Sequence, residues 1–320
     1  MHKPEITRLY HYQSIELEAR HIDDFKRKAV DIGDNIFLDK NKLDSLLDRH
    51  AYFSTPMSYN DPFEGDFTLS LEDLDPKELM SIIQFALESK DVSTPSILQS
   101  VPQDFLYTQL ESVIKQNPQH FAQLIIDTLR LSVGFYCLTE EPEDVLMWAH
   151  YAANHSGIAL EFERTPDSTC GTMTFEVDYF DVPPVISLSD IIIDFNQANN
   201  SKTLEEKARY LSDSSLRKLL YSKTKTWGHE NEWRTSHKPG RHDMPGKLVS
   251  IIFGYDVKPK VIDYLKSCKE LDGVSFKYIK PDKSTYKLKM YDEDDIELQV
   301  QRIMESISVG KMDAAQALLK

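Results

Sequence analysis

Segments with strand-like alternation recur along the chain at irregular intervals, and segments with helical spacing of apolar residues lie between them. The alternating segments predict strands at 8–12, 51–54, 133–138, 157–162, 232–236, 248–253, 275–279 and 286–290. The helical spacing predicts helices at 41–49, 76–90, 103–116, 118–130, 143–153, 203–223 and 259–269. Because strands and helices do not alternate regularly, the sequence predicts the α+β class, with a mixed or mostly antiparallel central sheet, flanking helices and a helical insertion.

We expect a single α+β domain over residues 1–292, with the helical insertion at about 76–130, and a C-terminal helical tail at 293–320. A chain of 320 residues with 41% hydrophobic residues can bury a large core. The side chains expected to face inward in the insertion are Phe105, Leu110, Val113, Phe121, Leu124 and Ile125.

The charge balance limits the classes of partner. The chain has 52 acidic and 37 basic residues, a net charge of −15, so binding to nucleic acid through a broad basic face is not expected. Three scattered cysteines fit a reducing cytosol and match no zinc pattern. No signal peptide and no run of roughly 18 apolar residues is present in the sequence, so we expect a cytoplasmic protein without a membrane partner.

Four clusters combine polar and aromatic side chains. In segment 53–64, Pro62 pushes the backbone of Asp61 out of the helical region and Asn60 favours a capped turn, which predicts a rigid elbow after a strand. Ordinary turn chemistry explains the same residues equally. On the first strand, alternation places Arg8, Tyr10 and Tyr12 on one face and His11 on the other, a pattern that also fits an aromatic core strand.

The third cluster, 147–157, places Trp148, Tyr151 and His155 on one face if it is helical throughout. Its His150 and His155 are five residues apart and do not form a helical zinc pair. In the fourth cluster, 223–234, Glu230 and Glu232 alternate with Asn231 and Trp233, so both carboxylates can face one side. At least one of them is expected to meet a cation or to perform acid–base chemistry; an ion pair with Arg234 is the structural alternative.

The order of these motifs resembles a bacterial family catalogued as a domain of unknown function, number 2971. Its members carry Leu-Tyr-x-Tyr, Phe-Ser-x-Pro with Phe/Tyr-Asn-Asp-Pro-Phe-Glu, and Met-Trp-x-His-Tyr-Ala-x-x-His-x-Gly. Lys-x-x-x-Trp-x-x-Glu-x-Glu-x-Arg and Ile-Ile-Phe-Gly follow. The corresponding segments here are 9–12, 53–64, 147–157, 223–234 and 251–254. The resemblance covers about residues 7–292 and implies a family but no activity.

More distantly, the chain is similar to toxin-type ADP-ribosyltransferases, which carry Arg or His on a first strand, a Ser-Thr-Ser-like strand and a late Glu-x-Glu. Here the middle motif reads Ser-Thr-Pro and the Trp-x-His-Tyr motif has no counterpart. The resemblance implies NAD as the substrate, Glu232 as the carboxylate that stabilises an oxocarbenium-like cation, and Glu230 as the group that helps activate the acceptor. His150 and His155 are the further catalytic candidates. The expected cofactor-binding residues are Arg8, Tyr10, His11, Tyr12, Ser54, Asn60, Asp61, Glu64, Trp148, Tyr151, Trp227 and Arg234.

Other functions stay open at this point. A metal-dependent hydrolase or nuclease would use the possible ligands Asp61, Glu64, His150, His155 and Glu230. A non-enzymatic defence sensor would bind a nucleotide or a protein. The expected partners are a small-molecule nucleotide and, for a transferase in a toxin or phage-defence system, a protein or single-stranded nucleic acid as acceptor. We expect no bound metal, and we expect the elbow, one of the two histidines and one of the two glutamates to line one concave site.

Overall fold

A computed structural model of the chain describes residues 3–17, 28–70, 116–282 and 284–300, together with the isolated positions 102, 105, 108, 109, 112 and 304. The chain divides into two compact units. The first consists of Met1–Leu9, Arg49–Glu140 and Arg164–Lys247, and the second of Tyr10–Asp48, Glu141–Glu163 and Leu248–Lys320. That 1–292 forms a single domain stays a prediction, as does the tail.

The strands, in chain order, are β1 (Arg8–Gln13), β2 (Ala29–Asp31), β3 (Phe37–Asp39), β4 (His50–Phe53), β5 (Thr68–Ser70), β6 (Gly134–Thr139), β7 (Ile158–Glu163), β8 (Thr174–Glu176), β9 (Asp178–Phe180), β10 (Val185–Ser187), β11 (Ser222–Thr224), β12 (Glu232–His237), β13 (Gly240–Asp243), β14 (Lys247–Phe253), β15 (Ser275–Asp282) and β16 (Lys287–Asp292). The α-helices are α1 (Lys40–Leu47), α2 (Pro118–Ser132), α3 (Val145–Tyr151), α4 (Thr169–Thr172), α5 (Leu188–Asn200), α6 (Leu204–Asp213), α7 (Ser215–Leu220) and α8 (Pro259–Ser267). Short 3-10 helices span Pro56–Ser58, Lys225–Glu230 and Lys269–Leu271.

Strand β12 organises the first unit. It pairs antiparallel with β6 on one side and with β8 on the other, so that Glu232 lies opposite Thr139 and Trp233 opposite Glu176. The first four residues of β12 are all buried, charged ones included. Shorter pairs flank it: β4 with β13 antiparallel, and β5 with β10 and β9 with β11 parallel. A buried charge on such a strand needs a partner, because desolvation of an unpaired ion is costly.

In the second unit, the strands follow the order β16-β15-β14-β7-β1. Strands β14 and β15 are parallel, with α8 between them in the chain, whereas β15 and β16 form an antiparallel pair. The hydrophobic core of this unit includes Tyr10, Tyr12 and Trp148. Both parallel and antiparallel pairs occur, antiparallel pairs predominate, and helices accompany them, so the predicted α+β class is confirmed.

Two predicted helices end earlier than expected. The helix expected over 203–223 begins as predicted, with the Thr203 hydroxyl accepting from the Glu206 N–H, but it ends at Asp213. The side chain of Ser214 then caps α7 by accepting from the Arg217 N–H, because a serine favours a cap over a helix interior. The helix expected over 143–153 ends at Tyr151.

Most of the expected insertion at 76–130 lies outside the described residues, including Leu110 and Val113. Helix α2 forms its last part. The prediction that Phe105 and Leu124 face inward is wrong, since both are exposed, and Ile126 of α2 is buried. Phe121 and Ile125 lie outside the side chains that the structure describes. Among the helices of the described residues, none is long and apolar enough to cross a membrane.

Candidate functional site

Arg234 on β12 is the centre of a buried ion network in the first unit. Its Nε donates to Oε1 of Glu232 at 2.7 Å and its Nη2 to Oε2 at 3.0 Å. Its Nη1 and Nη2 also donate to the two carboxylate oxygens of Glu64, at 2.6 and 3.1 Å. Glu232 and Arg234 point the same way because residues two apart on a strand share a face. One planar guanidinium therefore holds two carboxylates, each through paired hydrogen bonds.

The elbow brings Glu64 to this arginine. Oδ1 of Asp61 accepts from the Phe63 N–H at 2.9 Å, and the Glu64 N–H donates to the Asp61 carbonyl oxygen at 3.1 Å, which closes the turn. Asp61 and Glu64 are buried, whereas Asn60 and Phe63 are exposed. The expected rigid turn is present. Its inward side joins two segments that are 170 residues apart in the sequence.

Lys223 on β11 links the carboxylate of Glu232 to a third one, that of Glu230. Its Nζ donates to Oε2 of Glu230 at 2.5 Å and to Oε2 of Glu232 at 3.1 Å. Glu230 ends a 3-10 helix, and Asn231, with a left-handed φ of 44°, turns the chain into β12. The prediction that at least one of these carboxylates meets a cation is confirmed, and so is the ion pair of Glu232 with Arg234.

The network has three carboxylates and two cations. Burial raises the pKa of Glu232, but the charges of Arg234 and Lys223 outweigh it and lower this pKa to about 2. In Glu64, burial outweighs the attraction of Arg234, and the pKa of that carboxyl is raised. The carboxylates of Glu232 and Glu230 overcome the burial of Lys223 and raise its pKa. Folding thus favours the ionised form of Glu232 and disfavours that of Glu64.

A neutral polar pair lies beside the network. The Tyr59 hydroxyl is 3.2 Å from the Phe135 carbonyl oxygen and 3.2 Å from Sγ of Cys137. Burial raises the pKa of both the Tyr59 hydroxyl and the Cys137 thiol. Both groups are therefore neutral near pH 7, and Cys137 lacks the thiolate character of a nucleophile.

A cavity of about 500 Å³ lies within the same unit. Lys223 is part of its lining and also binds the two carboxylates, and its Nζ lies 5.0 Å from the centroid of the Trp227 ring. Ligand pockets are typically concave and mostly apolar, with a few polar groups. The lining residues are Asp61, Pro62, Phe63, Asp66, Phe180, Asp181, Val182, Pro183, Pro184, Ser222, Lys223, Thr224, Thr226 and Trp227.

Two lining carboxylates already have cationic partners. Asp66 forms an ion pair with Arg130, and Asp181 lies 3.3 Å from Nζ of Lys225. The sequence-predicted residues Asp61 and Trp227 line the cavity. Glu230 and Glu232 each accept a hydrogen bond from Lys223, which also lines it. The structure thus brings the elbow and the fourth cluster together.

The residues of β1 that were predicted to bind a cofactor make contacts within the protein. Tyr10 and Tyr12 are buried in the core of the second unit, and the Tyr12 hydroxyl donates to the Glu141 carbonyl oxygen at 2.6 Å. His11 is half-buried, and Nη1 of Arg8 donates to the Thr7 carbonyl oxygen at 3.1 Å. This packing favours the aromatic core strand. The part of these side chains in binding a cofactor stays a prediction.

Ser54, at the end of β4, exchanges backbone hydrogen bonds with Phe135 at 2.8 and 3.0 Å. Its backbone therefore serves the strand pairing of the first unit, and its part in binding a cofactor stays a prediction.

The third cluster belongs to the second unit. Trp148 is fully buried, packs edge-on against Tyr12 and donates from its indole nitrogen to the Pro142 carbonyl oxygen at 2.8 Å. Tyr151 is half-buried at the edge of this core, and His150 is exposed. Trp148 is thus a core residue. That either histidine shares a concave site with the elbow stays a prediction.

His155 does not lie on a helix. Residues 153–155 all have positive φ, of 49°, 52° and 69°, so the expected shared face of Trp148, Tyr151 and His155 is wrong for His155. The His155 ring lies 4.7 Å from that of Tyr255, and burial lowers its pKa. The backbone at Gly254 lies close to this turn, and only a glycine fits there, since a Cβ would lie 2.1 Å from the His155 carbonyl oxygen.

The metal-dependent alternative requires several ligands close together. Within the described ranges, no group of three His, Cys, Asp or Glu side chains is arranged to hold a metal ion. Asp61 and Glu64 lie in the first unit with Glu230, whereas His150 and His155 lie in the second. That set of five ligands therefore has no support from the geometry.

Sequence reasoning missed several residues of the site. Lys223 is the first residue of the fourth cluster, yet no role was predicted for it. Its spacing of seven from Glu230 and nine from Glu232 was the available signal. Phe180, Val182 and Ser222 line the cavity without belonging to any of the four clusters, and nothing in their local sequence indicates it.

The comparisons with known proteins give one match. Residues 147–235 match a family model described as "Protein of unknown function (DUF2971)". No curated protein and no solved structure matches the chain. The matched range contains the third and fourth clusters, including Lys223, Glu230 and Glu232. Over residues 147–235, the chain therefore resembles the family of proteins of unknown function DUF2971, which supports the family predicted from the sequence.

Proposed function

We propose that the cavity of the first unit binds the nicotinamide–ribose end of NAD, and that the chain catalyses an ADP-ribosyltransferase-like reaction. The observation that carries the proposal is the position of Lys223, which borders the cavity and holds Glu230 and Glu232 directly behind it. A ligand in the cavity is thereby one side chain away from two buried carboxylates.

The lining suits a planar ring that carries positive charge. Phe180 and Trp227 supply aromatic surface on the wall, and Phe63 is an exposed aromatic side chain of the same lining. The neighbouring network has three carboxylates and two cations, so a cationic ring would relieve its excess charge. Oxidised nicotinamide is such a ring. Aromatic faces also attract cations through their quadrupole.

In the proposed reaction, the bond between the ribose C1′ and the nicotinamide nitrogen breaks, and nicotinamide leaves with the electron pair. The acceptor, a protein or a single-stranded nucleic acid, adds its nucleophilic atom to C1′ and loses a proton. Glu232 would accept a hydrogen bond from a ribose hydroxyl and stabilise the cation that develops at C1′. Glu230 would take the proton of the acceptor. Lys223 must move away from one carboxylate for this to happen.

The test combines binding with turnover. Titration of NAD should raise the melting temperature of the wild-type protein, and nicotinamide release should be measured with cell lysate as a source of acceptor. Phe63→Ala should weaken NAD binding, whereas Tyr52→Ala should not, because Tyr52 is exposed to a similar degree but does not line the cavity.

Glu230→Gln should abolish nicotinamide release while NAD still binds. The matched control is Glu161→Gln, which removes another buried carboxylate with a lysine partner, Lys277, from the second unit. Equal release by Glu230→Gln and Glu161→Gln, both folded, would rule out the transferase reaction as proposed.

A second function, nucleotide binding without turnover, has its own support. Glu232 already accepts hydrogen bonds from Arg234 and Lys223 on both oxygens, an arrangement typical of a structural ion network. The same experiment separates the two functions, because a sensor would bind NAD with no nicotinamide release even at long incubation.

A further inference from the structure

Asp61 is the lining residue whose hydrogen bonding is incomplete. Its residue is 6% exposed, and Oδ1 is occupied by the Phe63 N–H at 2.9 Å. Among the residues that the structure describes, Oδ2 is buried and has no hydrogen-bond partner. The same residue lines the cavity beside Trp227 and Lys223.

A buried carboxylate oxygen without a donor is unfavourable. Leaving such a group unsatisfied costs about 1–3 kcal/mol, and buried polar atoms in folded proteins nearly always have a partner. The turn itself does not need Oδ2, since Oδ1 alone accepts from Phe63. None of the described residues supplies this donor, so a ligand in the cavity is the donor that we expect at this position.

We infer that Asp61 is a specificity-determining residue, whose Oδ2 accepts a hydrogen bond from the NH₂ group of a carboxamide or an aromatic amine on a planar ring in the cavity. This inference rests on the proposed function for the identity of the ring. An NH₂ group occurs at two places in NAD, on the carboxamide of nicotinamide and on C6 of adenine. Because the nicotinamide end is proposed to occupy the cavity, the carboxamide is the expected donor.

The carboxylate also explains what would be rejected. A ring with a carboxylate in place of the carboxamide would bring two negative charges together. Hydrogen bonds to a charged group contribute enough that their loss weakens binding on the order of 10- to 100-fold.

The experiment measures binding of three probes by calorimetry: NAD, its nicotinic acid analogue and its hypoxanthine analogue. The wild-type protein should bind NAD and the hypoxanthine analogue similarly, and the nicotinic acid analogue at least tenfold more weakly. Asp61→Asn preserves an acceptor for the Phe63 N–H and replaces the free oxygen by a donor. It should weaken NAD binding and improve binding of the nicotinic acid analogue. Asp243→Asn is the control, because Asp243 is exposed and lies outside the lining.

The outcomes separate this inference from the proposed function. If both analogues bind as tightly as NAD, and Asp61→Asn changes none of the three affinities, Asp61 has no part in recognition. NAD binding itself would stand. If the hypoxanthine analogue binds weakly and the nicotinic acid analogue binds like NAD, Asp61 recognises the NH₂ group of adenine, and the adenine end occupies the cavity. If the wild-type protein binds none of the probes, both ideas fail.

A ligand-free measurement tests the structural alternative. If Oδ2 serves only a ligand, Asp61→Asn should leave the melting temperature nearly unchanged, because it exchanges one buried polar group without a partner for another. A clear fall in the melting temperature of Asp61→Asn, with unchanged binding, would show that Asp61 serves only the turn.

Discussion

Replacing Arg234 by methionine tests the central feature of the first unit. The Arg234 side chain is 1% exposed, and its guanidinium supplies paired hydrogen bonds to Glu64 and Glu232. Arg234→Met removes the guanidinium from above the Phe135 ring, and the buried carboxylates of Glu64 and Glu232 lose their shared cation. Removal of one partner of a buried ion pair costs about 3–5 kcal/mol, so we expect a loss of this size in the free energy of unfolding at pH 7.

The pKa of Glu232 gives the same magnitude by another route. The folded protein lowers this pKa from 4.5 to about 2, and one pKa unit corresponds to about 1.4 kcal/mol, so ionised Glu232, its burial included, favours the folded state by about 3 kcal/mol. Because the pKa is lowered on folding, this contribution is complete above pH 4.5 and is lost as the pH falls towards 2. The raised pKa of Glu64 works in the opposite direction and reduces the net effect.

The assay is urea unfolding followed by circular dichroism at pH 7 and near pH 4.5. The deficit of Arg234→Met should be smaller at the lower pH, because the buried carboxylates that have lost Arg234 can then be protonated. Adding Glu64→Gln and Glu232→Gln to Arg234→Met should recover much of the stability. Arg217→Met is the control: its partner Asp178 is 41% exposed, and the loss should be about 1 kcal/mol.

Two results would refute this reasoning. One is a cost of Arg234→Met at pH 7 no greater than that of Arg217→Met. The other is a loss of unfolding free energy that does not shrink on acidification. The lost contact of the guanidinium with the Phe135 ring, and not the lost charge pairing, would then determine the effect of Arg234→Met.

Two further predictions concern stability. Gly254→Ala should lower the melting temperature strongly, because the added Cβ would lie 2.1 Å from the His155 carbonyl oxygen, whereas Gly228→Ala should be tolerated, since its nearest neighbour is 3.9 Å away; similar melting temperatures would contradict this. His237 stacks on His242 with ring centroids 3.6 Å apart, and partial burial and that neighbour lower its pKa from 6.5. The wild type should therefore lose stability as the pH falls below 6.5, since the unfolded chain binds the proton more readily, and His237→Phe should flatten this dependence in thermal unfolding between pH 5 and 8.

Local sequence patterns predicted the elements well where a residue acts on its own backbone. Alternation located β12 and β14, Asp-Pro located the elbow, and Thr203 located the start of α6. They failed where a neighbour along the chain competes. Ser214 ends one helix and caps the next, which helical spacing alone does not reveal. Leu124 was placed on the wrong side of α2 because the packing partner of a helix, and not its apolar spacing alone, selects the buried face.

The candidate site was predictable in part. The sequence selected Glu230, Glu232 and the elbow as polar groups among aromatics, and it foresaw a cation near the carboxylates. It gave no reason to choose Lys223 among the basic residues between 202 and 247 as that cation. The surroundings of Trp148 were also undetermined, because an aromatic residue on a helix is equally suited to a core or to a ligand.

The amino-acid sequence by itself determined the α+β class, the positions of most strands, the polar elbow and the paired glutamates, because periodicity, proline restriction and capping act over a few residues. Only the tertiary structure decided that Glu64 and Glu232 share Arg234, that Lys223 binds two carboxylates and lines a cavity, and that one oxygen of Asp61 is buried with no donor from the described residues. The physical reason is that ion pairing and desolvation depend on distances between segments far apart in the chain, and these distances are fixed only when the strands pair.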